Sequence, residues 1–289
     1  MIMIRRPKPV RINRSLGGNV VLILFLLFFG CFMVLPLVYT VITSFKPFYE
    51  LWYFPPRFFV RHPTIDNYSD LLSVMSDSSV PFVRYVFNTF FIAIVGTGGH
   101  IILSSLCAYA LAKHDFWGKK VIFEVIVLSL MFTGRVIAIP SYMIVSWLGI
   151  INTYWAYLLP AFSSSLGLYL MKQFIEQIVP DSVLEAARID GAGEGRIFWR
   201  IVMPMVKPAW LTLIIFSIQS LWNVGSTNYI FQEELKTMNY ALVQILSGGV
   251  ARTGVAAAAA VVIMIVPIIT FMITQRNVVE TMATSGMKE

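Results

Sequence analysis

Long uncharged apolar stretches restrict how this chain can fold more than any other feature of its sequence. From Val20 to Phe45 there are 26 consecutive residues without a charge. As a helix, this stretch would be about 39 Å long, which is enough to cross the hydrocarbon core of a bilayer. A second stretch, from Tyr85 to Ala112, also lacks a formal charge. Stretches of this length predict membrane-spanning helices.

The composition excludes two broad classes of protein. Only 13% of the 289 residues are charged, whereas a soluble globular domain carries about 25%. The 57% hydrophobic content also excludes a disordered chain, because such chains have too little apolar surface to form a core. We therefore interpret the sequence as an integral membrane protein rather than a soluble cytoplasmic enzyme.

Six membrane-spanning helices account for the apolar stretches, and the fold class predicted is all-α and polytopic. Residues 136–171 are too many for one helix, and the Gly149–Thr153 segment offers a turn that divides them. Pro140 and Pro160 should kink the two resulting helices. The predicted spans are 20–45, 85–112, 121–147, 154–172, 208–230 and 253–275. Between them lie external loops at 46–84 and 231–252 and a large cytoplasmic loop at 173–206.

The distribution of lysine and arginine predicts the orientation. Fifteen of these residues fall in the segments assigned to the inside, six fall in those assigned to the outside, and Arg135 lies within a span. This bias places both termini, the basic segment 1–19 and the tail 276–289, in the cytoplasm. It also accounts for the net charge of +7, so a nucleic-acid partner is not expected. The first apolar stretch is too long for a cleaved signal peptide.

The cytoplasmic loop holds the most informative motif. Ser182 and Glu185 have the spacing of a capping box, which predicts a helix from about Ser182, and Gly191 or Gly193 could close it. A second helix is predicted from about 194 to 203. Alanines flanked by carboxylates suit insertion into a groove of another protein, although a solvated loop helix fits the composition equally well.

A resemblance to a known family favours the first interpretation. The Glu185-Ala186-Ala187 run and the Asp190-Gly191-Ala192 run are followed, ten residues beyond Gly191, by Ile201-Val202-Met203-Pro204. This pattern resembles the EAA signature of bacterial ATP-binding-cassette (ABC) importer permeases, with Met203 where the family usually has leucine. The segments 63–68 and 148–156 resemble the maltose G-type permeases of carbohydrate importers. The resemblance covers about 20–288, with the transmembrane domain at about 85–276.

The resemblance implies a type I importer permease of the bacterial inner membrane that carries a carbohydrate or oligosaccharide. Such a subunit forms half of the pathway with a larger, maltose F-type permease, above two ATPase subunits and below an extracytoplasmic sugar-binding protein. The loop helix would be a coupling helix. The residues expected to meet the ATPase are Glu185, Ala186, Ala187, Asp190, Gly191 and Ala192. ATP and magnesium would be bound by the ATPase, so this chain is expected to hold no cofactor and to be no enzyme.

The sequence is less informative about the translocation path. Arg135 would lie about 22 Å along a helix from Lys120, where it could contact a sugar hydroxyl or a carboxylated sugar. It could equally extend toward the interface or pair with a backbone carbonyl. Gln219, Trp222 and Asn223 could stack on and hydrogen-bond a sugar, or they could lie at the bilayer surface, where tryptophan is enriched.

An ion-coupled secondary transporter is the alternative function. Carriers of that class typically place ionisable groups or broken helices near the membrane midplane. No carboxylate falls in the middle of a predicted span. His62, His100 and His114 fall in three different environments, so the sequence predicts no metal site. It also lacks the G-x-x-x-x-G-K-[ST] motif that would cradle ATP.

Overall fold

The computed structural model describes residues 16–76, 80–132, 134, 136–225, 228–249 and 252–285, and these residues form helices and connecting segments without a strand. A π-helical turn at Phe198–Val202 and a 3₁₀ turn at Glu233–Leu235 lie among the α-helices. In chain order the α-helices are α1 (Leu16–Ser44), α2 (Phe48–Leu51), α3 (Asp66–Ser76), α4 (Phe82–Lys113), α5 (Lys119–Ser129), α6 (Ala138–Trp147), α7 (Trp155–Phe162), α8 (Ser165–Ile178), α9 (Asp181–Ile189), α10 (Glu194–Ile197), α11 (Met203–Met205), α12 (Lys207–Trp222), α13 (Met238–Leu246) and α14 (Thr253–Ser285).

Three of the described helices are long and apolar enough to cross a membrane. They are α1 from Gly17, the whole of α4, and the Thr253–Ile273 part of α14. A fourth candidate is a bent pair, in which Glu194–Met205 and Lys207–Trp222 meet at 78°. Pro208 lies at the start of α12, where a proline begins a helix readily but cannot continue the preceding one.

The two helices predicted over 121–147 and 154–172 are each interrupted. The first consists of α5 and α6. Pro140 lies in the first turn of α6, where a backbone N–H would have no acceptor within the helix, so proline costs no helical hydrogen bond there. The second consists of α7 and α8, which are separated at Ser163 and Ser164. The Ser163 hydroxyl donates to the Pro160 carbonyl, and the Ser164 hydroxyl accepts from the Gly167 amide. These local bonds compete with the helical ladder, so the kink expected at Pro160 becomes a full break.

Helix α4 is the central element, and it packs against α7, α8 and α12. Small residues allow the close approach of these helices. A Cβ atom at Gly99 would overlap the ring of Phe162, and one at Gly167 would overlap Nε2 of His100. Glycine at such positions lets helix backbones come into van der Waals contact.

Two groups of buried side chains lie along α4. The group near its N-terminal half includes Tyr85 and Ile92 and joins α4 to α12, α13 and α14. The group near its C-terminal half, here called the α9 cluster, joins Ala108 to Met171 and Ile175 of α8 and to the residues of α9 and α10. The loop after α8 is therefore attached to the helical body by a core of its own.

Side chains bonded to the backbone fix the segment between α1 and α3. The side-chain amide of Asn67 donates to the carbonyl oxygens of Ser44 and Lys46, at 2.9 and 2.7 Å. The Glu50 carboxylate accepts from the backbone amides of Arg61 and His62. These bonds hold α2 and α3 against the end of α1.

Candidate functional site

The loop helix predicted near Ser182 is α9, and it begins one residue earlier. Pro180 occupies the N-cap position in an extended conformation (φ −70°, ψ 141°), and no side chain caps the helix. The capping box expected from Ser182 and Glu185 is therefore not formed. Because proline already fixes φ at the helix start, its carbonyl accepts directly from the Val183 amide, at 3.2 Å. Within the described part of the chain, the Glu185 carboxylate makes no hydrogen bond.

The end of α9 is a Schellman motif built on Gly191, as the sequence predicts. Gly191 has φ +78°, a left-handed conformation that glycine adopts without steric cost. The Gly191 amide donates to the Arg188 carbonyl, and the Ala192 amide donates to the Ala187 carbonyl, both at 3.0 Å. This pair of bonds satisfies the last carbonyls of the helix and reverses the chain.

The two alanines of the motif have different environments. Ala186 is exposed, whereas Ala187 is only 8% exposed and belongs to the α9 cluster. The prediction that both alanines lie on the outer surface is therefore wrong for Ala187. Residues three apart lie on the same helix face, so Ala187 faces inward beside Leu184.

An exposed patch remains on the other side of the helix. We call it the α9 outer surface, and it consists of Glu185, Ala186, Ile189, Asp190 and Gly191, all of which are exposed. The Ile189 side chain is 87% exposed, which is unusual for an isoleucine on a short, well-packed helix. The patch combines a protruding apolar side chain with two carboxylates and a small residue. Ala192 is half-buried behind it.

Below this patch, α9 is held by buried apolar contacts. Leu184, 1% exposed, packs with Ala187 into the α9 cluster, which also contains Ile197, Phe198 and Val202. The same cluster includes residues from α4 and α8. A force applied to α9 is therefore transmitted to those two helices through close-packed side chains.

Ion pairs fasten both ends of the loop helix. The Lys113 ammonium lies 2.7 Å from the Asp181 carboxylate and holds the pKa of Asp181 below its ordinary value. Beyond the turn, the Arg188 guanidinium donates to Glu194, at 2.8 Å, and the Tyr109 hydroxyl donates to the other oxygen of Glu194, at 2.7 Å.

Sequence reasoning missed these fastening residues. For the ion pair between Arg188 and Glu194, a signal is present in the local sequence. The two residues carry opposite charges and lie on either side of the turn at Gly191. No comparable signal marks Lys113 or Tyr109, because Lys113 is 68 residues before Asp181 and Tyr109 is 85 residues before Glu194.

The residues predicted for the translocation path are not brought together in one site. Arg135 lies outside the described residues. Trp222 is 1% exposed, its indole N–H donates to the Ile263 carbonyl at 2.8 Å, and its ring packs edge-on against Phe90. The prediction that Trp222 stacks on a sugar is therefore wrong, because α14 and α4 cover the ring.

Gln219 and Asn223 are exposed, as a path residue would be. The Asn223 side-chain amide donates to the Gln219 carbonyl at 2.7 Å, so its position is set by α12. Gln219 lines a separate cavity of about 300 Å³ with residues of α14. No set of three or more histidine, cysteine or acidic side chains in the described ranges could hold a metal ion.

Comparison with protein families gives one match that covers most of the chain. A family described as "Binding-protein-dependent transport system inner membrane component" matches residues 100–283, which include the whole of α8 and α9 and the C-terminal part of α4.

Two curated proteins of Bacillus subtilis (strain 168) are similar in sequence. Protein LplC is 34% identical over 206 residues, which make up 70% of this chain and 65% of LplC. The polygalacturonan/rhamnogalacturonan transport system permease protein YtcP is 30% identical over 217 residues, which make up 72% of this chain and 70% of YtcP. The chain thus spans slightly less than two thirds of LplC.

One solved structure has a similar fold. It is a chain of a bacterial ABC transporter involved in the import of the acidic polysaccharide alginate, and it matches with a TM-score of 0.77. The match covers 91% of this chain and 98% of the other, at 22% sequence identity. At this identity the likeness concerns the fold alone.

Proposed function

Because the chain belongs to the family of binding-protein-dependent transport system inner membrane components, we propose that it is the permease subunit of an ATP-driven carbohydrate importer. It is a protein of the inner membrane. The proposed cargo class, a sugar or oligosaccharide, is supported by the permease YtcP, whose described cargoes are polysaccharides. In this proposal the chain forms half of the translocation pathway, and a larger permease subunit forms the other half.

The observation that carries the proposal is the α9 outer surface. It presents an unpaired carboxylate, Glu185, beside the small Ala186 and the protruding Ile189, on a helix whose base is fixed by the α9 cluster. An exposed apolar side chain with charged neighbours on a rigid support suits docking into a groove of a partner protein. We propose that this partner is one of two ATPase subunits, which would bind ATP and magnesium.

The proposed mechanism is alternating access. Closure of the ATPase pair on ATP would move α9, and the α9 cluster would pass that motion to α4 and α8 as a rigid-body displacement. An extracytoplasmic binding protein would deliver the sugar and bias the same equilibrium. The chemistry of hydrolysis would remain in the ATPase, so this chain is a mechanical element rather than an enzyme.

The proposed topology has six spans and both termini in the cytoplasm. Beyond α1, α4 and α14, the bent α10–α12 segment and the interrupted pairs α5–α6 and α7–α8 would supply the other three crossings. Interrupted helices are tolerated in membranes where their free backbone groups are buried in protein or line a cavity. The lysine and arginine bias supports the orientation.

The test is affinity purification of the tagged chain from its native membrane, with mass spectrometry of the proteins that co-purify. A P-loop ATPase and a second permease should co-purify with the wild-type chain. Glu185→Arg should reduce recovery of the ATPase by roughly tenfold or more, because it reverses a charge at the docking surface. The control is Asp70→Arg, a charge reversal at an exposed residue of α3, which precedes α4 and is distant in sequence from α9.

The proposal would be rejected if the chain purified alone and membranes containing it still transported sugar. An ion-coupled carrier would then be the better description. Equal retention of the ATPase by Glu185→Arg and Asp70→Arg would instead reject only the docking site.

A further inference from the structure

A cavity of about 630 Å³ lies beside the break between α7 and α8, at the opposite end of α8 from the connection to α9. Its volume is in the range of small-molecule binding sites. Most of its wall is apolar, with contributions from α4, α5, α6 and both sides of the break. The polar lining consists of five serines, Ser104, Ser141, Ser163, Ser164 and Ser165.

The N-terminus of α8 forms part of this wall. Helix α8 has 14 residues, and its N-cap, Ser164, and first residue, Ser165, both line the cavity. The amides of Ser165 and Leu166 belong to the first turn of α8, whose N–H groups have no acceptor within the helix. The first amides of a helix point outward along its axis and carry the positive end of the helix dipole, about +0.5 charge. The break therefore presents free N–H donors and partial positive charge to the cavity.

Ser104, across the cavity on α4, independently points to a ligand. It is 3% exposed, it lines the cavity, and its hydroxyl has no hydrogen-bond partner among the described residues. Its neighbour Ser105 is also buried, but the Ser105 hydroxyl donates to the Ile101 carbonyl, at 2.6 Å. Because this hydroxyl has no acceptor in the described protein and opens onto the cavity, a molecule there that accepts its hydrogen bond would gain that bond.

The charges around the cavity narrow the class of that molecule. No charged side chain is present among the described residues that line it. The groups offered are hydroxyls and backbone N–H donors, which suit an acceptor. A carboxylate only accepts hydrogen bonds and carries one delocalised charge, which a helix N-terminus can balance in part. A phosphate dianion would need a cation that the wall does not provide.

We propose that this cavity binds the carboxylate of an acidic sugar during its passage, with the α8 N-terminus and the Ser104 hydroxyl as the donors. This inference rests on the proposed carbohydrate-import function and assigns its substrate class as sugars that carry a uronate. The inference also gives a role to the break between α7 and α8, because an unbroken helix would have no free backbone N–H groups at this depth in the membrane.

The experiment measures ATP-dependent uptake by the complete transporter, purified with its partner subunits and binding protein and reconstituted in proteoliposomes. The probes are digalacturonate, its uncharged dimethyl ester, and a hexose phosphate. Ser104→Ala should raise the KM for digalacturonate roughly tenfold, in line with loss of a hydrogen bond to a charged group. The matched control Ser105→Ala should leave that KM unchanged, because Ser105 bonds within its own helix and does not line the cavity.

A second pair of variants tests the helix terminus. Ser165→Asp places a carboxylate at the first position of α8 and should occupy the donors, which would abolish digalacturonate uptake. Ser165→Asn has the same shape without the charge and should retain most of the uptake. Equal amounts of co-purified ATPase in all variants would show that the complex has assembled.

Three results would overturn the inference while leaving the importer function in place. One is uptake of the neutral ester but not of digalacturonate by the wild-type protein. Another is an unchanged KM in Ser104→Ala or equal uptake by Ser165→Asp and Ser165→Asn. The third is a selective effect of these variants on the hexose phosphate. Absence of ATP-dependent uptake for every sugar, with no ATPase co-purified, would instead reject the proposed function and the inference with it.

Discussion

At the scale of single residues, Gly191 shows how one backbone conformation shapes the docking surface. Its positive φ allows the Schellman bonds that reverse the chain directly behind Ile189 and Asp190. A Cβ atom at Gly191 would meet no atom within 4 Å, so any effect of a side chain there arises from backbone strain alone.

Replacement of Gly191 by alanine should destabilise the end of α9 by about 1–2 kcal/mol, because a left-handed conformation is unfavourable for alanine. Hydrogen exchange of the amides of residues 186–192 in the purified protein would measure this loss. Gly195→Ala is the control, since Gly195 lies in α10 without positive φ and also has free space around it. That variant should not be destabilised, and equal loss of protection in both variants would contradict the strain argument.

Trp222 illustrates a residue whose role is decided by its neighbours. With its ring buried and its N–H bonded to the Ile263 carbonyl, Trp222→Ala should lower the free energy of unfolding by about 3–5 kcal/mol. Gln219→Ala, an exposed position on the same helix, should change it by less than about 0.5 kcal/mol. Thermal unfolding of the purified protein would compare them. If Trp222→Ala had normal stability but impaired sugar uptake, Trp222 would instead belong to the translocation path.

At the scale of elements, the contact between α4 and α8 depends on a glycine facing a histidine. Gly167 lies beneath the ring of His100, whose Nδ1 is hydrogen-bonded to the Ser217 hydroxyl of α12. Three helices therefore meet at one buried imidazole, and their spacing is fixed by the absence of a side chain at Gly167. The α9 cluster also includes residues of α4 and α8. This junction therefore supports the α9 outer surface through those two helices.

Gly167→Ala should cost about 1–3 kcal/mol of stability, because the added methyl group overlaps the imidazole. The same change in a His100→Ala background should cost at least about 1 kcal/mol less, since contacting residues are energetically coupled. A double-mutant cycle by thermal unfolding measures the coupling. Gly98→Ala, where an added Cβ meets nothing, is the control on α4. Additive effects of Gly167→Ala and His100→Ala would contradict the contact.

At the scale of the whole molecule, the proposed topology makes a direct prediction about two exposed aromatic residues. Phe54 is 95% exposed in the loop before α4, and Trp117 is 99% exposed in the turn after it. If α4 crosses the membrane as proposed, these residues lie on opposite sides.

In a background in which Cys31 and Cys107 are replaced by alanine, a membrane-impermeant thiol reagent should label Phe54→Cys in intact cells. Trp117→Cys should be labelled only after the cells are opened. Labelling is read by mass shift, and both variants should react equally in detergent as the control. The reverse pattern would invert the orientation inferred from lysine and arginine placement.

Several features could be predicted from the sequence because their causes are local. Apolar runs such as 20–45 and 85–112 identify helices for the bilayer, because hydrocarbon admits only helices that satisfy their own backbone. The structure has helices at Leu16–Ser44 and Phe82–Lys113. The closing glycine is also local, since a glycine after a short amphipathic helix is the usual end of one. The sequence leaves Gly191 and Gly193 as the two candidates, and the structure has the positive φ at Gly191. The EAA resemblance is local in the same sense, and the family match agrees with it.

Other features depend on contacts between distant parts of the chain and were decided only by the tertiary structure. Whether Ala186 or Ala187 faces outward follows from packing on α4 and α8, and the burial of Trp222 follows from the position of α14. The break before α8 required competition between serine side chains and the helical ladder. The sequence by itself therefore determined a helical membrane protein with a short loop helix closed by Gly191 or Gly193, since local charge, apolarity and backbone freedom suffice for that. Only long-range packing decided which side chains of that helix are free to dock and where a cavity opens.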